Sequence, residues 1–271
     1  MDIRSNLRRI TALLAAAILL PSFASAHTLW VNATDYAPNY TKKMGARTKS
    51  YIGFGHRYPV DDFMSADRLS EYTLISNGSK SAITPAAAAG FMESELRFKQ
   101  PGFYQIAVAG KPGFVTMYQE NGSTQRKMAP KTGLKDVQMS KYFEFYAKSL
   151  IVAGEPAGND FLTPVSHRLE IIPLQNPRTL KGDGSSSIQL KLLFNGQPLS
   201  NSTIYAMYSG YASKESYPYE VKTDQNGITT LKLTHRGPWL IKANHTLPAP
   251  KEMQDKCDIL DYTATFTFEA L

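Results

Sequence analysis

The sequence predicts a mainly β fold made of two β-sandwich-like domains. Three observations lead to this prediction. Apolar residues recur in short runs that alternate with polar ones, turn residues separate these runs, and little of the chain has helical periodicity. The predicted N-terminal β-rich domain spans residues 27–174, and the predicted C-terminal domain spans residues 175–271.

The C-terminal domain has the clearest pattern. Its last segment, Tyr262–Glu269, alternates aromatic or small apolar residues with threonines, and Trp239 is the aromatic side chain expected in the core. Roughly seven strands separated by turns in about 100 residues are typical of an immunoglobulin-like or prealbumin-like sandwich. Cys257 is the single cysteine, which excludes a disulfide-bridged immunoglobulin domain. We expect it to be a passive, half-buried thiol.

The N-terminal domain also consists of short strand-like runs between turns. Ser50–Phe54, Ser70–Ser76 and Phe103–Ala109 are examples, and the second ends at the turn signal Asn77-Gly78. The segment Ser140–Leu150 is the best helix candidate because its aromatic residues fit helical spacing. An extended edge strand is the alternative for this segment.

Residues 1–26 have the features of a secretory signal peptide. Three arginines precede the apolar run Ile10–Leu20, and Ala24-Ser25-Ala26 supplies the small residues of a cleavage site. The apolar run has about 11 residues, whereas a membrane-spanning helix needs roughly 20. We therefore expect cleavage after Ala26 and an exported protein of the periplasm that does not span the membrane.

Composition argues against several other classes of protein. The formal net charge is +7, and it falls to +5 when residues 1–26, with three Arg and one Asp, are removed. The basic residues are scattered, so we expect no nucleic-acid partner. The sequence has no P-loop, dinucleotide fingerprint, zinc-protease motif or serine nucleophile elbow. A non-enzymatic role is therefore favoured.

His27 is the central candidate because cleavage after Ala26 makes it the first residue of the mature chain. The α-amino nitrogen and the Nδ1 atom of an N-terminal histidine can hold one metal ion as a chelate. Imidazole is a common ligand of Zn, Cu, Ni and Fe. Such a chelate needs only one or two further ligands. The alternative is that a histidine follows the cleavage site by chance.

His56 and His245 are the candidate further ligands. His56 lies among glycines in a predicted loop, where binding residues concentrate, and the alternative is a solvent-facing turn residue. His245 follows the predicted strand Trp239–Ala243, at the end of the sandwich. The separations match no local zinc motif, so only tertiary folding can assemble a shared site.

Other polar residues are weaker candidates. His167 is expected to be structural, and His235 lies beside Arg236, whose charge disfavours a bound metal. Asp61 and Asp62 are either carboxylate ligands or solvated loop residues.

Several segments together resemble a known family. They are the Ala26-His27 junction followed by Trp30, the segment Gly55–Pro59, and the long tracts within residues 169–177, 196–199, 223–227 and 237–245. In these segments the chain resembles bacterial periplasmic proteins of unknown function assigned as periplasmic components of nickel and cobalt transport. The similarity covers nearly all of the predicted mature chain.

The resemblance implies a two-part β protein that binds a transition-metal ion and supports its uptake. His27, His56 and His245 fall on the histidine-bearing motifs of the family and are the implied metal ligands. Nickel or cobalt is the implied metal, with copper or zinc as alternatives. The implied partners are the metal ion and a membrane transporter or outer-membrane receptor.

Two other functions fit parts of the sequence. An N-terminal histidine with a second histidine is also the arrangement of copper-dependent polysaccharide mono-oxygenases, which are exported β-sandwiches. A metal-independent glycan-binding or adhesion protein is the third hypothesis, with some of the 15 tyrosines as contact residues.

Overall fold

The computed structural model describes residues 27–211 and 216–271, and the predicted signal peptide lies outside these residues. The described part is mainly β, which confirms the predicted fold class. Its strands are β1 (Thr28–Ala33), β2 (Ala46–Gly55), β3 (Leu69–Ser76), β4 (Ser79–Ala82), β5 (Ser94–Phe98), β6 (Gly102–Gly110), β7 (Gly113–Glu120), β8 (Ser123–Lys127), β9 (Val137–Ala153), β10 (Leu169–Pro173), β11 (Ser187–Phe194), β12 (Gln197–Pro198), β13 (Thr203–Tyr208), β14 (Tyr219–Lys222), β15 (Ile228–Lys232), β16 (Gly237–Pro248) and β17 (Ile259–Ala270).

Helical structure in the described residues is limited to short 3₁₀ turns. No helix there has the length and apolar character that crossing a bilayer requires. The turns are Ala66–Arg68, Asp160–Leu162, Pro177–Thr179 and Lys251–Met253.

A ten-stranded sheet forms the centre of the fold. Its main path runs β14-β13-β16-β17-β9-β6-β3-β4, and the β7–β8 hairpin joins it by pairing with the first part of β9. Strands β9 and β17 are parallel neighbours in the middle of this sheet. The two halves of the chain therefore share one hydrogen-bonded sheet.

Smaller sheets cover the two faces of the central sheet. The three-stranded sheet β1-β2-β5 packs on one face and encloses a core that includes Leu29, Ile52 and Ile106. A four-stranded sheet, β10-β11-β12 with β15, encloses a second core on the other face, and Trp239 is fully buried there. Both cores are apolar and closed on two sides by strands, which is β-sandwich packing.

The second sandwich has immunoglobulin-like topology. Strands β10, β11 and β15 form one sheet, and β14, β13, β16 and β17 form the facing one. Without the two-residue β12, the chain from β10 to β17 has seven strands. The first, second and fifth of them lie in the same sheet, as in immunoglobulin-like domains. The prediction of an immunoglobulin-like C-terminal sandwich is thus confirmed. Cys257 is fully buried rather than half-buried.

The segment Ser140–Leu150 is a strand, so the helix alternative is wrong. It lies within β9, which pairs with β17 on one side and with β7 and β6 on the other. The segment is therefore also not an edge strand. Its side chains contribute to both cores, for example Phe145 to the first and Leu150 to the second. Burial on both faces removes the polar alternation by which a strand is recognised.

The proposed division at residues 174 and 175 stays a prediction. Strand β10, which precedes the division, pairs with β11, which follows it. The last strand of the chain, β17, pairs with β9 of the N-terminal half.

Candidate metal site

Strand pairing brings His27 and His56 together at one end of the β1–β2 sheet. The two strands are antiparallel, and their register pairs Thr28 with Gly55 and Leu29 with Phe54. Continued by one residue, this register places His27 opposite His56. The two imidazole rings have their centroids 4.4 Å apart and are tilted by 50°. Two of the three predicted ligands therefore share one place in the fold.

The loop that carries His56 is held by the carboxylate of Asp61. The backbone N–H groups of His56 and Arg57 donate to Asp61 Oδ2 at 2.6 and 3.2 Å. Gly55 has φ +134°, in the region that favours glycine, and the Asp61 side chain occupies the space that a Cβ would need. Asp61 is thus an anchor of the loop, and its contacts are with backbone groups.

A second anchor connects the loop to β1. The indole Nε1–H of Trp30 donates to the carbonyl oxygen of Pro59 at 2.9 Å. Trp30 is fully buried and lies over Gly53, where a Cβ would collide with the indole ring. The ring of Tyr58 contacts Trp30 edge-on, with centroids 6.0 Å apart. These contacts fix the position of the loop on the sheet.

The surroundings of His27 favour its neutral form. Burial is the main cause that lowers its pKa below 6.5, and the nearby His56 and Arg126 act in the same direction. Asp62 acts in the opposite direction and lies with Oδ2 at 3.9 Å from His27 Nε2. A neutral imidazole is the form that binds metal.

His27 also forms one wall of a cavity of about 460 Å³. Its ring stacks on Phe54, with centroids 4.9 Å apart and an angle of 13° between the planes. The opposite wall comes from the central sheet and the β7–β8 hairpin. The other lining residues are Asp62, Arg68, Val115, Arg126, Met128, Lys141, Phe143 and Phe145.

The structure does not bring His245 to this pair. His245 is opposite Tyr262 in the β16–β17 register, and its ring packs against Phe194 of β11, with centroids 4.6 Å apart. By contrast, Lys242 on the other face of β16 reaches Thr28 at 2.9 Å. His245 and His27 therefore lie on opposite faces of the central sheet. Burial lowers the pKa of His245.

The remaining histidines have local partners. His167 is buried, faces Tyr146, and has Nε2 at 3.4 Å from Glu71 Oε2. His235 stacks on Tyr208, with centroids 3.6 Å apart. Both lie outside the cavity beside His27.

The side chains alone do not complete a metal site. Within residues 27–211 and 216–271, no group of three or more His, Cys, Asp or Glu side chains could hold a metal ion. His27 and His56 form a pair, and a third nitrogen would have to come from the α-amino group of His27. That group exists only in a chain that begins at His27.

Sequence reasoning missed the cavity residues. Arg68, Arg126 and Lys141 come from three separate elements, and no local pattern relates them. The only sequence signal was indirect, because the Asn121-Gly122 turn predicts the hairpin that carries Arg126.

The fold and this geometry define an immunoglobulin-like β-sandwich protein with a histidine pair at one edge. The chain belongs to the family "Domain of unknown function (DUF4198)", whose model matches residues 24–247. The family description assigns no metal and no transport function. The similarity to nickel and cobalt transport components therefore stays a prediction.

Comparison with other proteins adds no function. No curated protein matches the chain. Among solved structures, the D0-D1 domain of intimin is similar at 13% identity over 90% of this chain and 100% of that chain, with a TM-score of 0.22. The FN1-FN3 domains of chicken CNTN1 are similar at 9% identity over 82% of this chain and 93% of that chain, with a TM-score of 0.20. TM-scores this low do not establish a shared overall fold.

Proposed function

We propose that the protein is an exported transition-metal-binding protein of the periplasm. Its ligands would be the α-amino nitrogen and Nδ1 of His27 together with one imidazole nitrogen of His56. The observation that carries this proposal is the 4.4 Å separation of the two imidazole rings across the β1–β2 register. The Asp61 carboxylate and the hydrogen bond from Trp30 to Pro59 hold the His56 loop in place, so little rearrangement is needed before a metal binds.

Asp62 supports the proposed chelate by its position beside the other ring nitrogen of His27. The carboxylate is 3.9 Å from Nε2, beyond hydrogen-bond distance, and its negative charge on that side of the ring favours the tautomer that carries its proton on Nε2. The lone pair of Nδ1 is then free to bind metal together with the α-amino nitrogen. Asp62 is thus a positioning residue in this proposal.

The donor set narrows the choice of metal. Three nitrogens with room for an oxygen ligand suit tetragonal Cu(II) or Ni(II). Nickel was also the metal favoured by the family resemblance, together with cobalt. We propose a role in the uptake of such a metal, with delivery to a membrane transporter or outer-membrane receptor.

N-terminal sequencing of the exported protein tests the first requirement. The expected result is a chain that begins at His27. Any other N-terminus would remove the proposed amino ligand and contradict the chelate.

Metal titration with a matched pair of proteins tests the site itself. One protein begins at His27, and the other carries a long histidine-free extension before His27, which leaves every side chain in place. The extension is long because an amino group one or two residues before a histidine can itself chelate a metal. We expect Cu(II) and Ni(II) to bind the first protein at least about tenfold more tightly, since the second lacks one of three nitrogen ligands. Equal binding by both would refute the proposed ligand set.

A copper-dependent oxidative enzyme is the second candidate function. It is favoured by two exposed aromatic residues that contact each other, Phe63 and Phe91. Phe63 follows Asp62 and contacts Phe91 edge-on, with centroids 5.0 Å apart, and the side chains are 52% and 40% exposed. Exposed rings of this kind can contact sugar rings. Oxidation of chitin or cellulose by the copper-loaded protein and peroxide would support this candidate, and its absence would leave metal binding alone.

A further inference from the structure

The cavity beside His27 combines an apolar floor with an excess of positive charge. Phe54, Phe143 and Phe145 supply aromatic surface, and the guanidinium of Arg68 lies 5.1 Å from the centroid of the Phe54 ring. The volume of about 460 Å³ is within the range of small-molecule sites, roughly 300–1,000 Å³. The space therefore suits an organic molecule.

Two of the three cations in the cavity are available to a ligand. Lys141 is neutralised by Asp261, with Nζ at 2.6 Å from Oδ2. Among the described residues, Arg68 and Arg126 form no ion pair. Asp62 is the only carboxylate among the described residues that line the cavity, and it lies next to His27.

Strand register aims Arg126 at the cavity. In the β7–β8 hairpin, Arg126 is opposite Met117 and Lys127 is opposite Thr116. Alternate residues of a strand point to opposite faces, so Arg126 shares the face of Val115, which lines the cavity, and Lys127 does not. Two adjacent cations on one hairpin are therefore on different sides of it.

We propose that this cavity binds a small organic carboxylate whose charged groups meet Arg68 and Arg126 and whose apolar body lies on the phenylalanines. Arginine binds planar carboxylates with two parallel hydrogen bonds, which suits this role. Inorganic phosphate would satisfy the arginines but would leave the aromatic floor uncovered.

The position of the cavity also connects the ligand to the metal. This step rests on the proposed function. A carboxylate bound beside His27 supplies an oxygen ligand to a metal held by His27 and His56, so the metal is taken up as its carboxylate complex.

Calorimetric titration of the metal-free protein with benzene-1,3-dicarboxylate tests the cavity directly. Benzene-1,3-dicarboxamide, which has the same shape without charge, and inorganic phosphate are the comparison ligands. We expect the dicarboxylate to bind more tightly than either. The Arg126→Ala variant should bind it about tenfold more weakly, as expected for loss of a charge-assisted pair, and Lys127→Ala less than about twofold. Circular dichroism confirms that both variants are folded.

Three results would overturn the proposal. They are absent dicarboxylate binding, equal losses in Arg126→Ala and Lys127→Ala, and phosphate binding as tight as dicarboxylate binding. Because this titration contains no metal, its failure is distinct from failure of the metal site.

Titration of Cu(II) with and without the dicarboxylate then tests the connection to the metal. Tighter binding of either ligand in the presence of the other supports uptake as a complex. Unchanged affinities would limit the proposal to an independent carboxylate site.

Discussion

The imidazole of His27 lies 4.4 Å from that of His56 because the β1–β2 register places the two residues opposite each other. The loop after β2 keeps this arrangement through Asp61 and through the hydrogen bond from Trp30 to Pro59. The pair is thus a consequence of strand pairing and of a well-anchored loop. Each contact can be altered separately.

Replacing His245 tests whether the metal site contains two histidines or three. His245 packs on Phe194 across the second core, so His245→Ala should leave Cu(II) and Ni(II) affinity unchanged within about twofold. It should lower the free energy of unfolding by about 1 kcal/mol through lost ring packing. His56→Ala should instead weaken metal binding at least about tenfold. Metal titration and denaturant unfolding of both variants measure these effects. A large loss of metal affinity in His245→Ala would contradict the structure-based ligand set.

The neighbouring carboxylates Asp61 and Asp62 should have different effects. Asp61→Ala removes the acceptor of two backbone N–H groups, so it should lower the free energy of unfolding by about 1–3 kcal/mol and also weaken metal binding. Asp62→Ala removes a charge near His27 Nε2 and should weaken metal binding roughly fivefold, less than the 10- to 100-fold of tightly bonded outer-shell groups, at nearly constant stability. Thermal unfolding and metal titration distinguish the two. Equal changes of stability and of metal affinity in the two variants would show that Asp62 also has only a structural role.

Gly53 is required by the close approach of Trp30. Gly53→Ala would push the indole away, break its hydrogen bond to Pro59 and displace the loop that carries His56. We expect a loss of stability of about 1–3 kcal/mol together with weaker metal binding. Gly110→Ala is the matched control, because a Cβ at that strand position meets Phe145 at an ordinary 3.6 Å. Similar losses in both variants would argue against a specific role of Gly53.

Much of the fold could be predicted from the sequence because turns and alternation are local signals. Segment Ser140–Leu150 could not be assigned, since burial on both faces of β9 removes alternation. For His245 the necessary signal was present. Trp239, Ile241 and Ala243 face the second core, and a period of two places His245 on the same face. Its position was therefore predictable once β16 was extended beyond Ala243.

The histidine pair itself could not be predicted, because the register of β1 with β2 is not a local property. Residues 34–45 connect these strands without a short hairpin turn that would fix the pairing. His27 and His56 were each recognisable as candidates. The cavity was even harder to predict from the sequence, since its charged residues come from separate elements.

Glu71 should make the stability depend on acid pH. Burial alone would raise its pKa, but the nearby His167, the ion pair with Lys80 and the hydrogen bond from Thr73 lower it to about 2 from 4.5. The native state therefore binds fewer protons than the unfolded state between these values, and stability that is full above pH 4.5 is lost as the pH falls toward 2. Because the group is only half-buried, Glu71→Gln should remove about 1 kcal/mol of this dependence. Glu93→Gln, at an exposed pair with Lys49, is the control in denaturant unfolding across this range. If Glu71→Gln leaves the pH dependence of the free energy of unfolding unchanged, Glu71 does not cause this dependence.

Protonation of the His27 imidazole should compete with metal binding only at a lower pH than for an ordinary histidine. Burial lowers the pKa of His27 below 6.5, so the imidazole stays neutral at the start of acidification, and this ligand is lost only as the pH passes the lowered value, after protons have begun to compete for the α-amino nitrogen. NMR titration of the metal-free protein tests the cause. Arg126→Ala removes a cation and should raise the pKa of His27, whereas Asp62→Asn removes an anion and should lower it. Both shifts should be small because burial is the larger effect, and the pH midpoint of metal release should move in the same direction as each. Shifts of the same sign in the two variants would show that the charges around His27 are arranged differently.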